Sequence, residues 1–128
     1  MRNPFHLLLV LLIIFASAGQ VYSQSAVSKK LRHVVMFGWN QDADPAQISK
    51  IVDAFGALPS KIALIKGYEW GTNNSPEKLN QGLTHCFFLT FNSEADRDAY
   101  LVHPAHQEFV KLLKPAPAKV TVLDYWTN

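Results

Sequence analysis

The sequence predicts an α+β domain, an antiparallel sheet with helices packed on one face. Two observations carry this. Stretches of strand periodicity and of helical spacing follow one another in the order strand, helix, strand, strand, helix pair, strand. The first and third strands are apolar on both faces, whereas a sheet covered on one side only should alternate apolar with polar.

The chain begins with a processing signal. Arg2 is a minimal positive start, Leu7 to Ala16 is an unbroken apolar run, and small and polar residues follow it. The run falls short of the ~20 apolar residues that cross a bilayer, and its flanks match a cleaved secretory signal. Small residues fit cleavage after Ala18 or Ser23. Ser23 is preferred, which makes residues 1–23 the signal and residues 24–30 a flexible lead. The expected product is exported, periplasmic or secreted, and has no stable membrane anchoring after cleavage. An uncleaved anchor is the rival reading.

The domain then runs over residues 31–127. Leu31 to Trp39 reads as the first strand, with Leu31, His33, Val35, Phe37 and Trp39 on one face and Val34 and Met36 on the other. Asp44 is an N-cap, Pro45 a first helical residue, and Ile48, Ile51, Val52, Phe55 and Leu58 share one helix face. Pro59 and Ser60 are expected to end that helix. A second strand is placed across Ile62 to Gly71, followed by a turn-rich loop from Asn73 to Gly82. Leu83 to Phe91 is the third strand. Ser93-Glu-Ala-Asp96 has the form of a capping box with Asp in the Glu position, opening a helix that runs through Val102. Pro104 disfavours helix at His103 and restarts one as its own first residue. Lys114 to Pro117 is a stop, and Val120 to Trp126 the last strand.

This order is the ferredoxin-like βαββαβ arrangement. No helix remains to cover the second face of the sheet. The economical solution is a second copy, paired sheet to sheet, so a homodimeric α+β barrel is expected.

Composition narrows the function. Removal of Arg2 leaves eleven basic side chains against ten acidic, with no basic stripe interleaved with aromatics, so nucleic-acid binding has no support. Cys86 is the single cysteine, so no intramolecular disulfide forms, and mid-strand it reads as a small core residue. His103 and His106 have ligand-like spacing, but Pro104 breaks the helix that would align them, so no metal site is expected. No glycine-rich phosphate loop or nucleophile elbow is present, and no cofactor is expected.

Chemistry concentrates between Thr84 and Phe109. The residues Leu31-Arg-His33-Val-Val-Met-Phe37, Thr84-His85, Phe91 with Ser93, Tyr100-Leu-Val-His103-Pro104-Ala-His106 with Phe109, and Asp124-Tyr125 together resemble the stress-responsive A/B barrel (Dabb) family. The resemblance covers the whole domain and implies a dimer enclosing a cavity. One member of that family is a plant polyketide cyclase, and its catalytic histidine, tyrosine and histidine fall on His33, Tyr100 and His106. A further tyrosine of that enzyme falls on Phe55, which cannot donate a hydrogen bond.

The residues themselves leave three readings open. His33, Phe37, Phe55, His85, Tyr100 and His106 line a cavity in the dimer that binds a small hydrophobic molecule, the preferred reading. Alternatively His106, oriented by Tyr100 and His33, acts as base on a carbonyl compound in a cyclase- or lyase-like reaction. In the third, the histidines satisfy one another inside a filled, purely structural barrel.

Overall fold

The computed structural model describes residues 28–114 and 117–128. The expected signal, residues 1–23, and most of the lead lie outside the described residues. Four strands, β1 (Leu31–Gly38), β2 (Gly67–Thr72), β3 (His85–Phe91) and β4 (Lys119–Trp126), form one antiparallel sheet in the order β2-β3-β1-β4. The helices are α1 (Pro45–Gly56), α2 (Leu58–Lys61), α3 (Glu94–Leu101) and α4 (Pro104–Leu112).

The helix starts follow local chemistry. The Asp44 carboxylate accepts from Ala46 N at 2.9 Å, and Ser93 Oγ accepts from Asp96 N at 3.1 Å, so both first turns have a side-chain acceptor for an otherwise orphaned N–H. At the α3/α4 break His103 is itself the cap, with Nδ1 accepting from Ala105 N at 3.1 Å. Pro104 then takes a first-turn position that needs no N–H.

Two expected boundaries move. Pro59 does not stop a helix: α1 ends at Gly56, and Pro59 sits in the first turn of α2, where its missing N–H costs nothing. Ile62 to Lys66 is not strand. Ile62 and Ile65 are buried core residues of a connection, and β2 pairs only from Gly67 onward. Burial of two isoleucines three positions apart outweighs the β-propensity of the segment.

Strand register fixes which side chains meet. Tyr68, Leu89, His33 and Asp124 form one transverse row across the four strands, and Trp70, Phe87, Val35 and Val122 form the next. These rows lie on the face toward the helices, where Phe55 stacks on Phe87 at 4.4 Å and meets Phe109 at 4.6 Å between ring centroids. With Leu31, Phe37, Ile51, Leu58, Phe91 and Tyr100, all at most 2 % exposed, they make the core.

The opposite face carries Val34, Met36, Cys86 and Phe88, all partly exposed, and Leu123, 55 % exposed. The inference that the sheet is apolar on both sides therefore holds, and among the described residues no helix covers this side. β4 is the least covered strand, with Val120, Val122, Leu123, Tyr125 and Trp126 all exposed.

Candidate functional site

His33 projects from the middle of β1 into the helix-covered side and is 4 % exposed. A buried imidazole needs partners. Its Nδ1 lies 2.6 Å from Asp124 Oδ1, directly across the β1/β4 pairing. A carboxylate only accepts, so Nδ1 donates to it. Asp124 is held in turn by Arg97 of α3, whose Nη1 donates to Oδ2 at 2.6 Å. The chain Arg97, Asp124, His33 thus runs from the edge of α3 to the centre of the sheet and fixes the tautomer at its inner end.

Tyr100, on α3, lies over this row. It is fully buried, with its ring 5.8 Å from His33 and 5.1 Å from Phe91. Burial, with a smaller contribution from Tyr68, pushes its phenol far above the usual tyrosine range. It is a hydrogen-bond donor throughout the physiological range and never a phenolate.

His106 stands in the first turn of α4, half-buried, 4.4 Å from Tyr100 between ring centroids. Its Nδ1 lies 3.0 Å from the Leu101 carbonyl oxygen. A carbonyl accepts, so Nδ1–H donates. Burial lowers the pKa of His106, the Leu101 hydrogen bond opposes this, and His33 and His103 lower it further. The site therefore holds two imidazoles, each with Nδ1 engaged by a protein oxygen, beside a protonated phenol. Such a set can take a proton from one atom of a substrate while the phenol donates to an oxygen on another.

His33, Tyr100, His106 and Phe55 come together, joined through Phe109, whose ring is 4.6 Å from Phe55 and 6.3 Å from His106. Phe37 contacts Phe55 at 6.2 Å but lies two rows from His33. His85 is elsewhere. It pairs with Phe37 at the far end of β3, accepts from Trp39 Nε1 at 2.9 Å and stacks on Trp70. Burial lowers its pKa, so it is a neutral acceptor inside an aromatic cluster.

The expectation of one cavity between two sheets lined by all six residues needs correction. His33, Phe37, Phe55, Tyr100 and His106 lie between sheet and helices of a single chain: His33 and Phe37 have the strand parity of the helix-covered face, and Phe55, Tyr100 and His106 come from α1, α3 and α4. A separate groove of about 680 Å³ does open toward the uncovered face, bordered by Met36, Trp70, Asn80, Thr84, Cys86 and Thr121. Of the six expected residues only His85 reaches it.

Sequence reasoning missed Arg97, Asp124 and Tyr68 as parts of this region. Asp124 on an otherwise apolar strand face was the available signal, since a buried-face carboxylate calls for a partner. Tyr68 was placed correctly in the second strand, but its row beside His33 follows only from strand register. Among the described residues no three or more His, Cys, Asp or Glu are grouped to hold a metal ion.

Comparison with known proteins is consistent with this architecture. The chain is 34 % identical over 95 residues to the stress-response A/B barrel domain-containing protein HS1 of Arabidopsis thaliana, covering 74 % of this chain and 87 % of that protein. It is 24 % identical over 95 residues to olivetolic acid cyclase of Cannabis sativa, covering 74 % and 94 %. Among solved structures it is similar to the hydroxynitrile lyase from Passiflora edulis, at 32 % identity and TM-score 0.73, over 79 % of this chain and 95 % of that one. It is also similar to a dimeric protein of ferredoxin-like fold from Bacteroides fragilis, at 25 % identity and TM-score 0.61, over 75 % and 94 %. The sequence profile of the stress responsive A/B barrel domain, Dabb, matches residues 31–127. The chain belongs to the stress responsive A/B barrel domain family.

Proposed function

We propose that this domain binds a small hydrophobic carbonyl compound against His33, Tyr100 and His106 and moves a proton to or from it, with His106 as base. The observation that carries this reading is the shared hydrogen-bonding arrangement. Asp124 and the Leu101 carbonyl each engage Nδ1 of an imidazole, and the rings of His33 and His106 both lie beside a phenol that stays protonated. A filled structural core would need the hydrogen bonds but not two imidazoles gathered around one donor. Two relatives named as a hydroxynitrile lyase and a cyclase support it.

The catalysing unit is a homodimer paired through the uncovered sheet face, and it acts outside the cytoplasm after removal of residues 1–23. The apolar open face and the dimeric relative of ferredoxin-like fold support the first; the apolar run of Leu7 to Ala16 supports the second. N-terminal sequencing of the protein from its own host should find Gln24 first.

The test of the reaction uses an aromatic hydroxynitrile, mandelonitrile, with release of benzaldehyde followed by absorbance. Wild type should release aldehyde above the buffer rate, and His106→Ala should lose that turnover while still binding benzaldehyde. Saturable benzaldehyde binding with no turnover in wild type would leave a binding protein, and neither binding nor turnover would sink the proposal.

A further inference from the structure

The uncovered sheet face carries two charges among its apolar side chains. Arg32 on β1 and Glu69 on β2 both have the strand parity of Val34 and Phe88. Burial and then Glu69 push the Cys86 thiol up, which makes the carboxylate a neighbour of Cys86 on this face. The Arg32 guanidinium lies 5.2 Å from the centre of the Phe88 ring and donates Nη1 to Thr90 Oγ1. Among the described residues neither Arg32 nor Glu69 has an ion-pair partner. They are too far apart to serve each other, since two strand spacings and one row separate them, about 12 Å. Lys119, a third charge at the end of this face, is turned to the Gln81 carbonyl at 2.7 Å.

A second copy laid on this face takes both charges out of water, and a buried charge left unpaired is costly. Two identical sheets meet about a two-fold axis, so every contact from one copy to the other is made twice. Resting on the homodimer reading above, we infer that Arg32 of each copy pairs with the partner's Glu69, and that this exchanged ion pair sets how the two sheets cross.

Shape supports the same axis. With strands ~4.8 Å apart and side chains of one face ~6.8 Å apart along a strand, placing Arg32 over the partner's Glu69 brings Leu123 over the partner's Cys86. Cys86 borders the groove of this face, together with Met36, Gly71 and Thr121. Leu123 is exposed in the single chain and finds its place there. The exposed Tyr125 comes to the β2 edge beside the partner's Gly71, where a Cβ would meet nothing within 4 Å. One operation therefore pairs the charges, seats a protruding leucine in a groove and puts a large ring where a glycine leaves room. The strands of the two copies then cross at roughly 70°, near the orthogonal class of sheet packing.

The test reverses each charge. Arg32→Glu, Glu69→Arg and the double variant are expressed from the full chain, checked by far-ultraviolet dichroism, and compared with wild type by sedimentation and native mass spectrometry. Each single variant opposes like charges twice, so its dimer dissociation constant should rise about tenfold or more. Mixing the two single variants in equal amounts should restore a heterodimer, because both of its pairs then join opposite charges. The double variant should dimerise like wild type. Single variants that dimerise as wild type does, or a mixture that stays monomeric, would overturn the pairing while leaving the dimer reading intact. Where Arg32→Glu does not fold, Arg32→Gln and Glu69→Gln in a double-mutant cycle should show coupling of about threefold or more, and additive effects would overturn the pairing. A wild-type monomer would remove the dimer reading and this pairing together.

Discussion

At the scale of single residues the decisive feature is how each histidine is held. Asp124 orients His33 by accepting Nδ1–H, and Arg97 holds Asp124. Asp124→Asn keeps the shape but offers His33 an uncharged amide, and leaves Arg97 with Asp98 alone. The expected outcome is loss of the single tautomer at His33, seen as averaged Nδ1 and Nε2 shifts in ¹⁵N spectra, with turnover falling at least tenfold, about 1.4 kcal/mol. His85 and His106 set a pH dependence. Both have folded-state pKa values below the ordinary 6.5, chiefly through burial. The unfolded chain therefore binds protons first as pH falls, so stability is full above about 6.5 and declines below it. Urea midpoints should drop between pH 7 and pH 5, and His106→Gln should shallow the decline. A midpoint flat across that window would contradict the burial argument.

At the scale of elements the caps carry the local folding code. Ser93 and Asp44 were legible because a cap is decided within four residues of chain. His103 is the less common case, an imidazole doing the work of Asn or Asp at the break that brings His106 beside Tyr100. His103→Ala should cost about 0.5–2 kcal/mol, and His103→Asn should recover most of it, both read from urea unfolding. Equal loss in the two variants would show that His103 packs rather than caps. The α1/α2 junction was illegible because Pro59 serves equally well after a helix and in the first turn of a new one. β2 was displaced because Ile62 and Ile65 look like strand residues until the core claims them.

At the scale of the whole molecule the uncovered sheet face is the proposed seat of assembly. Val34, Met36 and Phe88 are only partly covered, and Leu123 and Tyr125 of β4 are exposed. A patch of this kind marks an interaction surface, and a second copy is its proposed occupant. Leu123→Lys places a charge on that face without touching the helix-side core. Sedimentation should show the wild-type dimer replaced by monomer at micromolar concentration, with far-ultraviolet dichroism unchanged. A wild-type monomer under the same conditions would end the sheet-on-sheet proposal.

The sequence by itself determined the order of the strands, the starts of α1, α3 and α4 and the apolar character of both sheet faces, while the resemblance to the family singled out His33, Tyr100 and His106. The first three depend on period and caps, which are properties of neighbouring residues. Only the tertiary structure decided which face the helices cover, since His33 and Phe37 on one side and Val34 and Met36 on the other are comparably apolar. That choice moved the candidate site from between two sheets to the interior of one chain. It also separated His85 from His33, and joined Arg97, Asp124 and Tyr68 to the site. These pairings link residues 27 to 91 positions apart or follow strand register, and no local pattern encodes contacts that exist only once the strands have paired.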